Sequence, residues 1–345
     1  MSSTVQPRIA DWYAAIEESF AGAVEGQAID ESFRVAGAPV LLQVASERFH
    51  QRVAPAFGHL KDSSGAPPEL TIRVWDTAGG APPPLPEAPP GPRGTVYYSD
   101  EGGMRIAYLP HLQLLSVLDA ERGVAWFWCA RAEALPFWET SAPFRQILHW
   151  WFGPRNMLLL HAAAVGRADG GVLLVGRGGS GKSTSALSCL DSELLYAGDD
   201  YVAVSDADRL VYSLYSSGKL EPGHATRLPH LPRPAISGDG SEDEKAVFFV
   251  QDRFADRIVE SFPLRAVLAP RIGGNTTHMI PLDGGAALRA LAPSTLLQLH
   301  PAEPAAFGRM ARLVGQVPTF QFELGPEIAA IPSAIERLLD ELPAG

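Results

Sequence analysis

An α/β fold with a mixed sheet is what the sequence predicts, and three observations lead there. Val172–Val175 is a short apolar run, followed by a glycine-rich loop, a helical segment and a second apolar run, Leu194–Gly198, that ends in Asp199–Asp200. Residues 70–129 carry short alternating or aromatic runs at hairpin spacing, the pattern of a mainly antiparallel sheet. Between the two, Ser141–Phe152 followed by Gly153-Pro154 reads as a helix with a firm stop, Ser141 being its expected N-cap. The chain is expected to divide into an N-terminal α+β domain, 1–140, and a larger domain, 141–345.

Composition narrows the function classes. With 46% hydrophobic residues in 345, the chain can bury a sizeable core. Its net charge of −11, with no basic run to offset it, argues against a nucleic-acid partner. MSSTVQPRIADW has no apolar core of a secretory signal, and the longest apolar stretch, Met157–Val165, is too short to cross a bilayer. A soluble cytoplasmic protein without a membrane partner is expected. Cys129 and Cys189 sit in apolar surroundings and read as reduced core residues.

In chain order, Ile9, Trp12, Tyr13, Ile16 and Phe20 fall at helical spacing, so Ile9–Val24 is predicted as an amphipathic helix. Phe33–Val35 and Val40–Val44 are strand-like, and Glu47–Leu60 is helical. Leu70–Trp75 alternates as a half-buried strand, and Ala81–Pro92 is too proline-rich to pair into a sheet. Thr95–Tyr98, Met104–Tyr108, Leu114–Leu118 and Val124–Cys129 follow as strands, with tryptophans expected to fill the core and a substrate-docking role left open.

Beyond the aspartates, Val202–Val204 and Leu210–Leu214 are strands. Gly223–Glu244 lacks apolar periodicity and is either a lid or an inserted loop. Ala246–Val250 and Leu264–Ala269 are strands, the second leading to Arg271. His278–Leu282 is a strand, Asp283 caps a helix to Leu291, and Pro293–His300 is a separate helix. Ala302–Val314 and Ile328–Leu342 are amphipathic helices around a last strand, Thr319–Glu323.

The chemistry lies in Gly176–Thr184. Gly176, Gly178, Gly179, Ser180, Gly181, Lys182 and Ser183 fit the phosphate-loop pattern G-x-x-x-x-G-K-[ST], and Thr184 follows. The glycines let successive N–H groups turn inward around phosphate oxygens, and the helix after the loop presents its positive end to them. Lys182 would reach the outer phosphates of ATP and the Ser183 hydroxyl would ligate Mg²⁺. Asp199 and Asp200, 17 residues after Lys182, stand where a strand ends, so they can divide metal binding and proton acceptance. Arg271, at another strand end, either steadies the transferring phosphoryl group or makes a surface ion pair. His161 alone reads as a hydrogen-bonded core histidine, and Lys219 as either a phosphate contact or a surface residue.

Residues 161–204 resemble the HPr kinase/phosphorylase family, whose catalytic domain has a nucleotide-binding core like that of phosphoenolpyruvate carboxykinase. His161 lies 15 residues before Gly176, the loop matches, and the aspartate pair follows Lys182 at the family's distance. The resemblance implies that Asp199 is the general base, that Asp200 is a metal ligand, and that His161 lies near the transferring phosphate. Thr184 stands where that family usually carries glutamate, and its glycine/isoleucine-rich segment has no clear copy here, so phosphorolysis is not implied. The likeness extends to kinases that phosphorylate a serine of ribosomally made peptides such as lasso precursors. The expected function is γ-phosphate transfer to a serine hydroxyl of a protein or peptide, in a chain compatible with homo-oligomerisation. A small-molecule kinase of the same fold and a nucleotide-gated binding module are the alternatives.

Overall fold

The computed structural model describes residues 9–343 apart from 25, 79, 89–90, 93, 102, 238–244 and 302–304. The chain forms two compact units. One comprises residues up to Ala54 together with Lys61–Pro136; the other comprises Pro55–Leu60 and everything from Phe137 onward.

In the first unit the strands are β1 (Ile29–Val35), β2 (Ala38–Val44), β3 (Leu70–Asp76), β4 (Tyr97–Glu101), β5 (Met104–Leu109), β6 (Leu114–Asp119) and β7 (Val124–Cys129), in the order β1-β2-β3-β7-β6-β5-β4. The hairpins are antiparallel, but β2–β3 and β3–β7 pair parallel. The sheet is therefore mixed, which hairpin spacing alone does not reveal: β3 is flanked by long connections that carry the chain back in the same direction. Helix α1 (Ile9–Ala23) lays Ile16, Phe20 and Ala23 on Trp75, Trp126 and Trp128. The indoles of Trp75 and Trp126 donate to Ser19 Oγ and Glu17 Oε1, so these rings are core and not a docking face. Helix α2 (Glu47–Val53) is capped by Ser46, and its predicted continuation to Leu60 is a 3₁₀ segment beginning at Ala54-Pro55, where proline interrupts the α-helical bonds.

The second unit opens with α3 (Phe137–Ser141) and α4 (Arg145–Phe152). Ser141 ends α3 and does not cap α4: Pro143 interrupts the chain between them and Phe144, at φ 61°, stands before α4. The strands are β8 (Met157–Leu160), β9 (Ala163–Arg167), β10 (Gly170–Leu174), β11 (Leu195–Gly198), β12 (Val202–Ser205), β13 (Leu210–Ser213), β14 (Ser217–Leu220), β15 (Ala246–Phe249), β16 (Ser261–Ile272), β17 (His278–Pro281) and β18 (Thr319–Leu324). The main sheet runs β11-β9-β10-β16-β13-β12-β8, with β18 and then β17 added beside β16; β14 and β15 pair separately. Strand β10 is parallel to β16 and antiparallel to β9, so this sheet too is mixed.

Period two decides what covers the sheet. Val172 and Leu174 face one core with Ala186 and Leu187 of α5 (Lys182–Ser188), while Leu173 and Val175 face the other. Short helices α6 (Pro222–Ala225) and α7 (Gln251–Phe254) punctuate the chain before β16. Helix α8 (Gly284–Leu296) is capped by Asp283 and is continuous through Pro293, where two helices were expected; Ala287, Leu291 and Ala292 are buried before the proline and Thr295 after it, with Leu296 packed against the same core. Helix α9 (Ala306–Gly315) joins α8 on the face of Leu173, and α10 (Ala330–Glu341) covers the other through Ile331, Ile335 and Leu338. The result is a sheet with helices on both sides, the architecture that buries strands as apolar as these.

Topology places the functional residues. Strand β11 is antiparallel to β9, and β9 to β10, so β10 and β11 point the same way. The loop after β10 and Asp199–Asp200 after β11 thus emerge at one edge. His161 precedes β9, whose beginning lies at that same edge, and β16 ends there as well.

Candidate functional site

The loop is bent in the way its sequence requires. Gly176, Gly179 and Gly181 have φ of 149°, 76° and 105°, values that L side chains rarely adopt. A Cβ on Gly181 would also lie 2.5 Å from Leu324 Cδ1. Lys182 folds back across the loop, donating to Gly176 O at 2.6 Å and Arg177 O at 3.2 Å. Burial lowers its pKa, against the opposing pull of Asp199 and Asp200.

A cleft of about 430 Å³ opens over this loop. Residues 178–184 line one part, joined by His161, Asp200, Lys219, Gln298 and Ile272; Phe137, Trp138 and Arg145 come from the α3–α4 segment. The chain has four lysines, and Lys182, Lys219 and Lys245 all line this cleft. The fourth, Lys61, pairs with Glu31 in the other unit. In a chain that otherwise takes its positive charge from arginine, that convergence builds a local cationic field despite the net charge of −11. It was also the sequence signal that would have found Lys245, which motif reading passed over.

The two aspartates have different surroundings. Asp200 faces the cleft, with Oδ1 at 3.1 Å from His161 Nε2 and Oδ2 at 2.5 Å from Lys219 Nζ. Burial by itself would raise this carboxyl, but the Lys219 ammonium and the His161 hydrogen bond outweigh it and hold the group well below its usual range. Asp199 lies behind, 2% exposed and not part of the cleft lining. Its Oδ2 accepts the Lys219 main-chain N–H at 2.8 Å, and its Oδ1 is buried with no hydrogen-bond partner among the described residues. Burial, then the neighbouring Asp200 charge, raise the Asp199 pKa; the Ser183 hydroxyl beside it works the other way. An orphaned carboxylate oxygen next to the loop serine has the donor chemistry of a place where a hard cation and its water would be welcome.

His161 is fixed on several sides: its backbone N–H donates to Thr295 Oγ1 at 3.2 Å, Gln298 Nε2 lies 3.5 Å from its Nδ1, and its ring packs 5.2 Å from that of Tyr201. The structure thus gathers Lys182, Ser183, Asp200 and His161 around one space, with Asp199 directly behind. Arg271 is not brought there. Its side chain is 70% exposed and faces Glu323 at 3.7 Å, while the next residue, Ile272, turns into the cleft. Ser180 and Thr184 line the cleft with Gly178, Gly179 and Gly181, whereas Gly176 does not. Of the Gly223–Glu244 stretch, read as a lid or an inserted loop, Arg227 donates to Pro326 O and His230 contacts Leu187 O at 2.9 Å, both tying that segment to the unit; residues 238–244 lie outside the described residues.

Among the described residues no group of three or more His, Cys, Asp or Glu is arranged to hold a metal, and no helix is long and apolar enough to cross a membrane. A phosphate-loop cation does not need such a group, because phosphate oxygens and water supply most of its ligands.

No protein-family model matches the chain, and neither does any curated protein. Among solved structures, the HPr(Ser) kinase/phosphatase from Coxiella burnetii aligns at 14% identity with a TM-score of 0.27, over 53% of this chain and 98% of that one. A likeness of that size fixes neither fold nor function, so the chemistry rests on the cleft's own residues.

Proposed function

We propose that the second unit is an ATP-dependent kinase that phosphorylates a hydroxyl group, with a serine of a protein or peptide as the acceptor. The observation that carries this reading is the convergence, at one sheet edge, of a left-handed glycine loop, three of the chain's four lysines and a carboxylate pair. Bound over the loop, Mg·ATP supplies the transferable phosphoryl group and the cation that spreads its charge. The amides of 178–183 and Lys182 hold the polyphosphate, and Lys219 adds a second ammonium beside Asp200.

The two carboxylates divide the work by exposure. Asp200, which the acceptor can reach, orients the hydroxyl and takes its proton as the new O–P bond forms and the bond to the β-phosphate oxygen breaks, releasing ADP. Asp199, beside Ser183, serves the cation. This division is the reverse of the one the family resemblance implies. It is supported by Asp199 lying outside the cleft lining and by both oxygens of Asp200 already having donor partners. A depressed carboxyl suffices for the proton, because the loose transition state of phosphoryl transfer asks for positioning more than for a strong base.

The test is incubation of the full chain with Mg·ATP and serine-containing peptides, read by intact mass. A gain of one phosphoryl group on a peptide, abolished by Asp200→Asn, is the expected result. ATP hydrolysis with no acceptor ever modified would replace this reading with a nucleotide-gated switch.

A further inference from the structure

Arg145 also lines the cleft, and nothing in the chemistry above uses it. It opens α4, and its Nη2 donates to Glu139 Oε1 at 2.9 Å, with side-chain exposures of 18% and 8% for the two residues. Glu139 is itself in α3, so the pair ties the two helices of this segment together at the cleft wall. Arginine carries five N–H donors in a rigid fork; Glu139 Oε1 and the Tyr201 hydroxyl engage two of them.

A chain of side-chain contacts links it to Asp200. The guanidinium lies 5.9 Å from the Tyr201 ring, that ring lies 5.2 Å from His161, and His161 touches Asp200. Phe137, from the same segment, has the Lys219 ammonium 5.8 Å from its ring centre. One cleft thus holds the loop, Asp200 and a wall of Phe137, Trp138 and Arg145.

Resting on the kinase reading, we infer that Arg145 is an acceptor-specificity residue: it binds a carboxylate carried close to the hydroxyl that is phosphorylated, so the preferred acceptor is a serine flanked by an acidic residue. A fixed guanidinium with free donors matches a carboxylate bidentately, and a cleft wall of low polarity strengthens that contact relative to water. The Phe137 and Trp138 rings beside it would cover the adjoining peptide segment.

Matched synthetic peptides test this, each with one serine flanked by Asp or by its isostere Asn, assayed by phosphopeptide formation on the full chain. Wild type is expected to favour the Asp peptide in kcat/KM by about tenfold or more, chiefly through KM, with the ratio shrinking as salt rises. Arg145→Gln is expected to bring the ratio near one, and Arg145→Lys to restore part of it. Should Arg145→Gln misfold because Glu139 is left unpaired, the double variant Glu139→Gln/Arg145→Gln removes both charges and is read in the same way. Phosphorylation of both peptides at equal efficiency by wild type, or a preference that survives removal of Arg145, overturns the inference while leaving the kinase standing. Absence of transfer to any peptide, with ATP still hydrolysed, removes the kinase reading and this inference with it.

Discussion

Lys219 donates its main-chain N–H to Asp199 Oδ2 at 2.8 Å, which pins strand β14 against the carboxylate behind the cleft. That bond aims the side chain of the same residue past Asp199, so its ammonium meets Asp200. One residue thereby positions both members of the carboxylate pair, by backbone for one and by charge for the other.

Replacing Lys219 by Met keeps the backbone bond and removes the charge. Asp200 is held low chiefly by that ammonium working against burial, so without it the Asp200 pKa rises. Activity that needs ionised Asp200 then fails at a higher pH than in wild type. The acid limb of kcat/KM against pH is expected to move upward, with a loss of at least about tenfold near that limb. An unmoved limb would remove Asp200 as the group whose ionisation matters.

The two aspartates are separable by their metal dependence. Asp200→Asn is expected to cut phosphoryl transfer by about a thousandfold or more at any Mg²⁺ concentration, with nucleotide binding retained. Asp199→Asn is expected to raise the Mg²⁺ concentration needed for half-maximal rate. The reverse pattern would restore Asp199 as the proton acceptor.

Asp199→Asn carries a second expectation, for stability. Burial and the adjacent Asp200 charge raise its pKa in the folded chain, so the ionised form disfavours folding at neutral pH. An amide there relieves that cost, on the order of 1 kcal/mol, and Tm is expected to rise. The gain holds above the raised folded-state pKa and vanishes below the ordinary aspartate value, where the carboxyl is neutral in both states. Paired melts at neutral and acid pH read this directly.

Lys182→Met removes the ammonium that bridges Gly176 O and Arg177 O. Affinity for a fluorescent ATP analogue is expected to fall by about a hundredfold with the far-ultraviolet circular dichroism unchanged. Undiminished affinity would place the nucleotide elsewhere.

His59 is expected to give the second unit an acid-sensitive step. It sits in the 55–60 segment that belongs to this unit, its Nε2 is 2.7 Å from Ser213 Oγ, and burial lowers its pKa to about 4. Below pH 6.5 the unfolded chain binds a proton that the folded chain refuses, so stability is full above that pH and falls as pH drops towards 4. The loss amounts to about 3 kcal/mol at most. Denaturant melts between pH 7 and pH 4 (about the two ends of the titration) should be shallower in pH for His59→Gln.

Much of the site was legible because it is local. A glycine loop between a strand and a helix is one contiguous stretch, and the backbone dihedrals that make it a cradle are set by the glycines themselves. Strand alternation and helical spacing likewise placed most elements of both units within a few residues. The errors came where neighbours along the chain did not decide. Pro143 and Pro293 look alike as helix breakers, yet the chain stops helix at the first and runs through the second, because packing on both sides of Pro293 compensates the missing bond. The parallel pairing of β3 with β2 and β7 depends on long connections that carry no local signature.

The sequence by itself determined that a glycine loop joins a strand to a helix and that two carboxylates follow at a strand end, since both are properties of short runs with fixed backbone geometry. Only tertiary structure decided which carboxylate faces the cleft, that Arg145, Lys219 and Lys245 join it from distant segments, and that Ile272 and not Arg271 turns inward. The reason is register. A strand's side chains alternate, so pairing with β10 and β18 assigns each residue of β16 its side, and no stretch of chain read alone contains its partner.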